Sequence, residues 1–308
     1  MFTWIPIHEE TAKRLLEFKN NNHELVTILS KIKDQGLITT KLVDQDSGGV
    51  AFQLKEIDPF TFLANFNRGT RDSNRRGLWQ ALKKEWSLSS EVPQDFDGLP
   101  LANAQNSWLM PYAKDRSPEH VSLLWRFFEH IMAADPASLD DGLMQQCLRL
   151  PQVGMAMLTM GMFWSCPKKW VATDGKNLGF AKIKGLGERP ENASEYKAWL
   201  PRIRALTGGD GVEFSRQAHL WATSKLGHPF DKLFGQSDAG PVLDLFAEVI
   251  RTMRGTPGFK EELLVTTLRR EPMICINYAD WRIFAYGTKD GPRFELALPS
   301  SVSSTPEC

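Results

Sequence analysis

LMQQCLRLPQVGMAMLTMGMFWSCPKKWVATD, residues 143–174, is the stretch on which the fold turns. Its first eight residues read as the end of a helix that closes at Leu150. Pro151 and Gly154 then reverse the chain in a four-residue hairpin, and Met155 opens a run apolar on nearly every face. A helix without a polar side has to be buried at the centre of a helical domain. The hairpin before it presents the free backbone N–H groups of a helix start, which is a natural seat for phosphate. On physical grounds alone the stretch is a buried αα-hairpin.

Outward from this centre the chain reads as mainly α. Residues 6–35 form two helices broken at 21–24, with Pro6 before an acidic first turn (Glu9, Glu10) and Gly36 as the stop. Two β-branched runs within 37–54 flank Asp46-Ser-Gly-Gly49 and predict a β-hairpin. Asp58-Pro59 is an N-cap followed by proline at the first helical position. From 58 to about 200 the pattern is mostly helical, with further helices expected at 118–133, 138–149, 155–165 and 192–206. Residues 87–117 interrupt it as a long polar and aromatic loop, and Trp108, Leu109, Met110 and Tyr112 argue against disorder there.

Thr207-Gly-Gly-Asp-Gly211 marks the expected start of a C-terminal portion. It holds helical stretches at 212–225 and 241–254, then the alternating runs LLVTTL, MICINY, WRIFAYG and RFELALP. These predict an antiparallel meander, with Lys289-Asp-Gly291 as one turn. The resulting division is 1–54, 55–207, 208–299 and a tail at 300–308.

Composition removes several classes. With 37 Lys+Arg against 37 Asp+Glu, the 308 residues are not a histone-like polycation, although local basic patches stay open. Four Cys without Cys-x-x-Cys spacing support neither a disulfide framework nor a zinc finger. The N-terminus turns polar too early for a signal peptide and no apolar run reaches membrane-span length, so a cytoplasmic protein with no membrane partner is expected. Phosphate-loop, His-Glu-x-x-His and Gly-x-Ser-x-Gly motifs are missing.

Leu150-Pro-Gln-Val-Gly154, an apolar helix, and an Asp twenty residues past the glycine resemble the helix-hairpin-helix DNA glycosylase superfamily. Asp58-Pro-Phe-Thr-Phe-Leu-Ala-Asn-Phe-Asn-Arg-Gly-Thr-Arg-Asp72 is similar to that family's early helix and turn, in the family's order. The same segments resemble N-terminal regions of McrB-like modification-dependent restriction proteins. The resemblance implies a glycosylase-like helical domain, with a smaller C-terminal α+β portion containing the meander.

It further implies duplex DNA containing a modified base as partner. The backbone would be gripped by Pro151, Gln152, Val153 and Gly154 with Lys168, Lys169 and Lys176, and no cofactor beyond a monovalent cation at the hairpin is called for. Asp174 takes the catalytic place, stabilising an oxocarbenium-like transition state and activating water. The lyase lysine of bifunctional members is replaced by Ala156, so the chemistry implied is monofunctional. In this resemblance the second hairpin residue is glycine; if the position needs φ > 0, Gln152 costs about 1 kcal/mol or more.

Base flipping needs a side chain to fill the vacated stack, and Asn65, Asn67 and Arg68 are the wedge candidates. Phe96, Trp108 and Tyr112 suit a base pocket. Asn103, Gln105 and Asn106 can read a polar edge. Two basic clusters, Arg68–Lys84 with six cations and Lys168–Lys184 with five, each against one acid, match a local DNA footprint. A non-catalytic reader of modified DNA, serving a defence-system partner, fits the same residues. Glu195-Tyr-Lys197 has the spacing of a metal-dependent nuclease but falls on an expected helix.

Overall fold

Met155–Ser165 is helical, and every residue from Leu158 to Ser165 is buried. The computed structural model describes residues 2–105, 107–208 and 210–224, with four strands between 259 and 297. In it this helix is the hub its sequence demands. Gly161 lets it approach the helix that begins at Pro59: a Cβ there would stand 2.5 Å from Phe60 Cδ1.

In chain order the first unit runs α1 (Ile5–Leu15), α2 (His23–Asp34), a two-stranded ribbon β1 (Val43–Gln45) and β2 (Ala51–Gln53), then α3 (Pro59–Phe66) and α4 (Asp72–Trp86). It continues with α5 (His120–Ala133), α6 (Asp141–Leu148), α7 (Met155–Ser165), α8 (Gly175–Ile183), α9 (Ala193–Thr207) and α10 (Gly211–Ser224). The ribbon is antiparallel, with Asp44 opposite Phe52, and is shorter than the run at 37–54 predicted. Asp58 caps α3 as its sequence requires, accepting from Phe60 N and Thr61 N at 3.0 and 2.9 Å. The chain is mainly α.

Two compact units divide the chain at His219 and Leu220. The first corrects two expected boundaries. Residues 1–54 are no separate domain, because Trp4 is fully buried, donates to Asp97 O at 2.8 Å and lies 5.7 Å from the Phe163 ring of α7. Nor does the unit end at Thr207. Gly208 is the left-handed C-cap of α9, and Phe214 and Ala218 of α10 are fully buried in the same unit. In the second unit β3 (Phe259–Val265), β4 (Pro272–Tyr278), β5 (Trp281–Thr288) and β6 (Gly291–Ala297) form an antiparallel sheet in that order, with Cys275 opposite Phe284 and Ala285 opposite Phe294. This is the meander the alternating runs predict; the expected helix at 241–254, the 289–290 turn residues and the tail fall outside the described residues. Among the described residues no helix is long and apolar enough to cross a membrane.

Among its described residues the loop at 87–117 contains one 3-10 turn, Ala113–Asp115, and it is ordered by polar stitches. Glu10 receives Ser89 N and Ser90 N, both at 2.7 Å. Thr3 Oγ1 receives Gln94 N and Asp95 N, Trp164 Nε1 donates to Pro100 O, and Thr61 Oγ1 receives Leu109 N. The basic cluster expected to meet DNA takes part in this. Arg75 is buried 4.4 Å over the Phe96 ring, Arg76 donates to Gln94 O, and Lys83 pairs with Glu91 at 3.1 Å. Those cations bind the loop; Arg71 and Lys84 remain exposed.

His8 ties α1 to the turn after α3, with Nδ1 2.8 Å from Trp4 O and Nε2 2.9 Å from Asn67 Oδ1. Complete burial pushes its pKa down to about 4. A folded-state pKa below the unfolded 6.5 means that stability is present above pH 6.5 and lost as pH falls toward 4. The loss at this one group is about 3 kcal/mol. His8→Gln, which does not titrate, should therefore be the less stable protein at pH 7, with the gap closing by about that amount at pH 4. Denaturant unfolding at the two pH values checks this; a constant gap would contradict it.

Candidate functional site

Leu150 ends its turn by donating to Cys147 O, and Val153 N donates back to Leu150 O at 3.2 Å, closing the hairpin. The reversal puts Gln152 at φ +67, where a non-glycine residue carries about 1 kcal/mol of strain. Gly154 is the extended N-cap of α7 and offers no side chain to its first turn, so the leading amides lack a capping group. Pro151, Gln152 and Gly154 are exposed, whereas Val153 is buried and anchors the hairpin.

Beside the hairpin lies a cavity of about 490 Å³. Gln152 forms one wall. Arg68, Trp108 and Tyr112, chosen from other parts of the chain, form others, together with Thr40, Lys41 and Ser107. The two aromatic rings meet edge to face at 6.0 Å. Arg68 is positioned by the Ala102 bridge and donates Nη2 to Ala104 O. Its Nε and Nη1 are enclosed without an acceptor, and burial lowers its pKa. No acidic side chain is among the described residues that line it.

Asp174 is the N-cap of α8, a helix the sequence reading did not delimit. Its Oδ2 accepts from Lys176 N at 3.4 Å, while Oδ1 is buried without a partner. Burial pushes the carboxyl up to about 6, against the lowering effect of the Lys176 amide and charge. The backbone leading to it is held by side chains from three helices. Tyr196 bonds both Val171 N and Val171 O, Asn177 donates to Ala172 O, and Thr159 Oγ1 receives Thr173 N at 3.0 Å. Asp174 does not line the cavity. Thr159 stands four residues into α7, so its level is about 6 Å along the helix axis from the hairpin end.

Several expected site residues lie elsewhere. Asn65 and Asn67 are fully buried: Asn65 receives Thr40 N and donates to Thr61 O, and Asn67 bonds His8 and Leu63 O. Entering a DNA stack would break both sets of bonds, so of the three wedge candidates only Arg68 remains at a surface cavity. Phe96 is buried under Arg75 and is not among the residues that line this cavity. Lys169 donates to Met132 O and Ala134 O at 2.7 and 2.9 Å, closing the C-terminal end of α5 in place of a phosphate contact. Lys168 is exposed 3.3 Å from Glu9, and Lys176 is exposed in the first turn of α8. Glu195 is the partner of Asn192 in a capping pair at the start of α9, which uses up the nuclease-like spacing. Thr40, Lys41 and Ser107 were missed, since nothing in their local sequence marks a cavity wall.

A family model described as a domain of unknown function (DUF8425) matches residues 4–219, all but the first three residues of the helical unit that holds the hairpin, the cavity and Asp174. No curated protein and no solved structure matches the chain.

Proposed function

This chain belongs to the DUF8425 family, and from that premise we propose that it binds duplex DNA at the 150–154 hairpin, draws a modified base into the adjoining cavity and releases it as a monofunctional glycosylase. One observation carries the reading: the cavity joins the hairpin's Gln152 to Arg68, Trp108 and Tyr112. Aromatic walls stack on an extruded base, and the cavity is roomy enough for a base with a substituent. Arg68 fills the vacated stack or holds the base edge. Asp174, as a carboxylate, stabilises positive charge developing at C1′ and takes a proton from water. Water oxygen bonds to C1′ as the C1′–N bond breaks, and the proton that Asp174 took from the water passes to the departing base, giving an abasic site.

A second reading has its own observation. With no carboxylate in the cavity wall, a base held there can be recognised without being cut, as in a specificity module for a restriction-type partner.

Incubation of the protein with duplexes carrying modified cytosines, followed by mass spectrometry of released base and a probe for abasic sites, separates the two. Release by wild type and loss in Asp174→Asn supports the glycosylase. Selective binding without release supports the reader, and equal binding to plain and modified duplex overturns both.

A further inference from the structure

Three described non-glycine residues have positive φ: Leu42, Ser87 and Gln152. Two have evident reasons. Ser87 is the left-handed C-cap of α4, and Leu42 is buried. Gln152 takes it as the third residue of the turn that Val153 N closes on Leu150 O; it is exposed, and its side-chain amide makes no hydrogen bond within the described residues. The turn sets the φ, and glycine would adopt it without strain; a glutamine kept there presents an unengaged amide to the cavity.

The remaining wall defines what the amide meets. Two cations, Arg68 and Lys41, face a cavity with no acid in its lining. Arg68 already has two enclosed donors without acceptors, a cost that an acceptor from the ligand offsets. Trp108 and Tyr112 supply an apolar planar surface, and Ser107 a further hydroxyl. An apolar substituent would leave the Arg68 donors unanswered; a carboxylate or another oxygen-rich group would answer them.

Resting on the base-extrusion reading above, we propose that this cavity selects a base whose substituent is anionic or rich in hydrogen-bond acceptors, and that Gln152 and Arg68 are the residues that read it. Gln152 is a specificity residue in the place where the hairpin geometry favours glycine. Arg68 supplies the charge.

The test uses the full chain and duplexes with a single 5-carboxylcytosine, 5-hydroxymethylcytosine, 5-methylcytosine or cytosine. Affinity should fall in that order, with about tenfold or more between the carboxyl and methyl duplexes. Gln152→Gly should raise the melting temperature by about 2–4 °C, because the φ strain is relieved. It should also remove most of the carboxyl preference, read as the ratio of carboxyl-duplex to plain-duplex affinity of the same variant. Arg68→Met should abolish the same preference. Tightest binding of the methyl duplex would overturn the proposal and leave base extrusion standing. Failure of every modified duplex to exceed cytosine would remove base extrusion and the proposal together. A Gln152→Gly protein that is more stable yet equally selective would strike out Gln152 as the reader.

Discussion

Gly211→Ala should cost the helical unit about 3 kcal/mol or more, the largest effect of one added methyl at any described glycine. A Cβ at 211 would lie 2.0 Å from Trp170 O and 2.5 Å from Pro167 O. Both are backbone atoms, so no side-chain rotation makes room. The segment they belong to cannot retreat either. Trp170 is fully buried and donates to Ile131 O at 3.1 Å, and Arg204 reaches Lys168 O and Lys169 O. Gly211 N itself donates to Lys168 O at 3.3 Å. Thermal unfolding of Gly211→Ala beside Gly175→Ala measures this, since a Cβ at 175 meets nothing within 4 Å. Equal melting temperatures for the two would show that α10 is not seated as described.

That glycine also shows where sequence reading stopped. Thr207-Gly-Gly-Asp-Gly211 carries the composition of a linker, yet Gly208 ends α9 in the left-handed region and Gly211 is a point of close backbone approach. Composition cannot separate glycine chosen for freedom from glycine chosen for smallness. Where the signal was local it was legible. Asp58-Pro59 gave the α3 cap, Leu150–Gly154 the hairpin with Gln152 at positive φ, and Met155–Ser165 the buried hub. α8 escaped because two glycines in nine residues dilute its helix propensity. The basic run at 68–84 misled because charge says nothing of its partner: four of its cations hold the 87–117 loop, a contact between segments that no pattern in either one announces.

The site was legible in the same uneven way. Trp108, Tyr112, Arg68 and Gln152 were drawn from three separate segments and meet at one cavity. Asn65 and Asn67, from the same turn as Arg68, do not, since polar side chains at the end of a buried helix are as useful for bracing neighbouring backbone as for touching a ligand.

Asp174→Asn should lose base release by about 10²–10⁴-fold and yet give a more stable protein at neutral pH. The two effects have one cause. Burial raises the carboxyl to about 6 from an unfolded value of 3.8. For a carboxyl raised in the folded state, the associated stability is fully present below pH 3.8 and lost as pH rises through about 6. Wild type at pH 7 therefore bears about 3 kcal/mol from ionising this one group. Asparagine keeps the shape and serves equally well as an N-cap, but never ionises. Unfolding free energies should accordingly be close for the two proteins at pH 4 and diverge by up to about 3 kcal/mol in favour of the variant by pH 7. Wild-type release should climb with pH to a plateau above about 6, since the working form is the carboxylate. A residue whose only task is to start α8 predicts the reverse, a variant no more stable at neutral pH and with unchanged release. Loss of stability with retained activity would return Asp174 to the fold; gain of stability with lost activity is what a carboxylate kept against its own folding cost for chemistry must show.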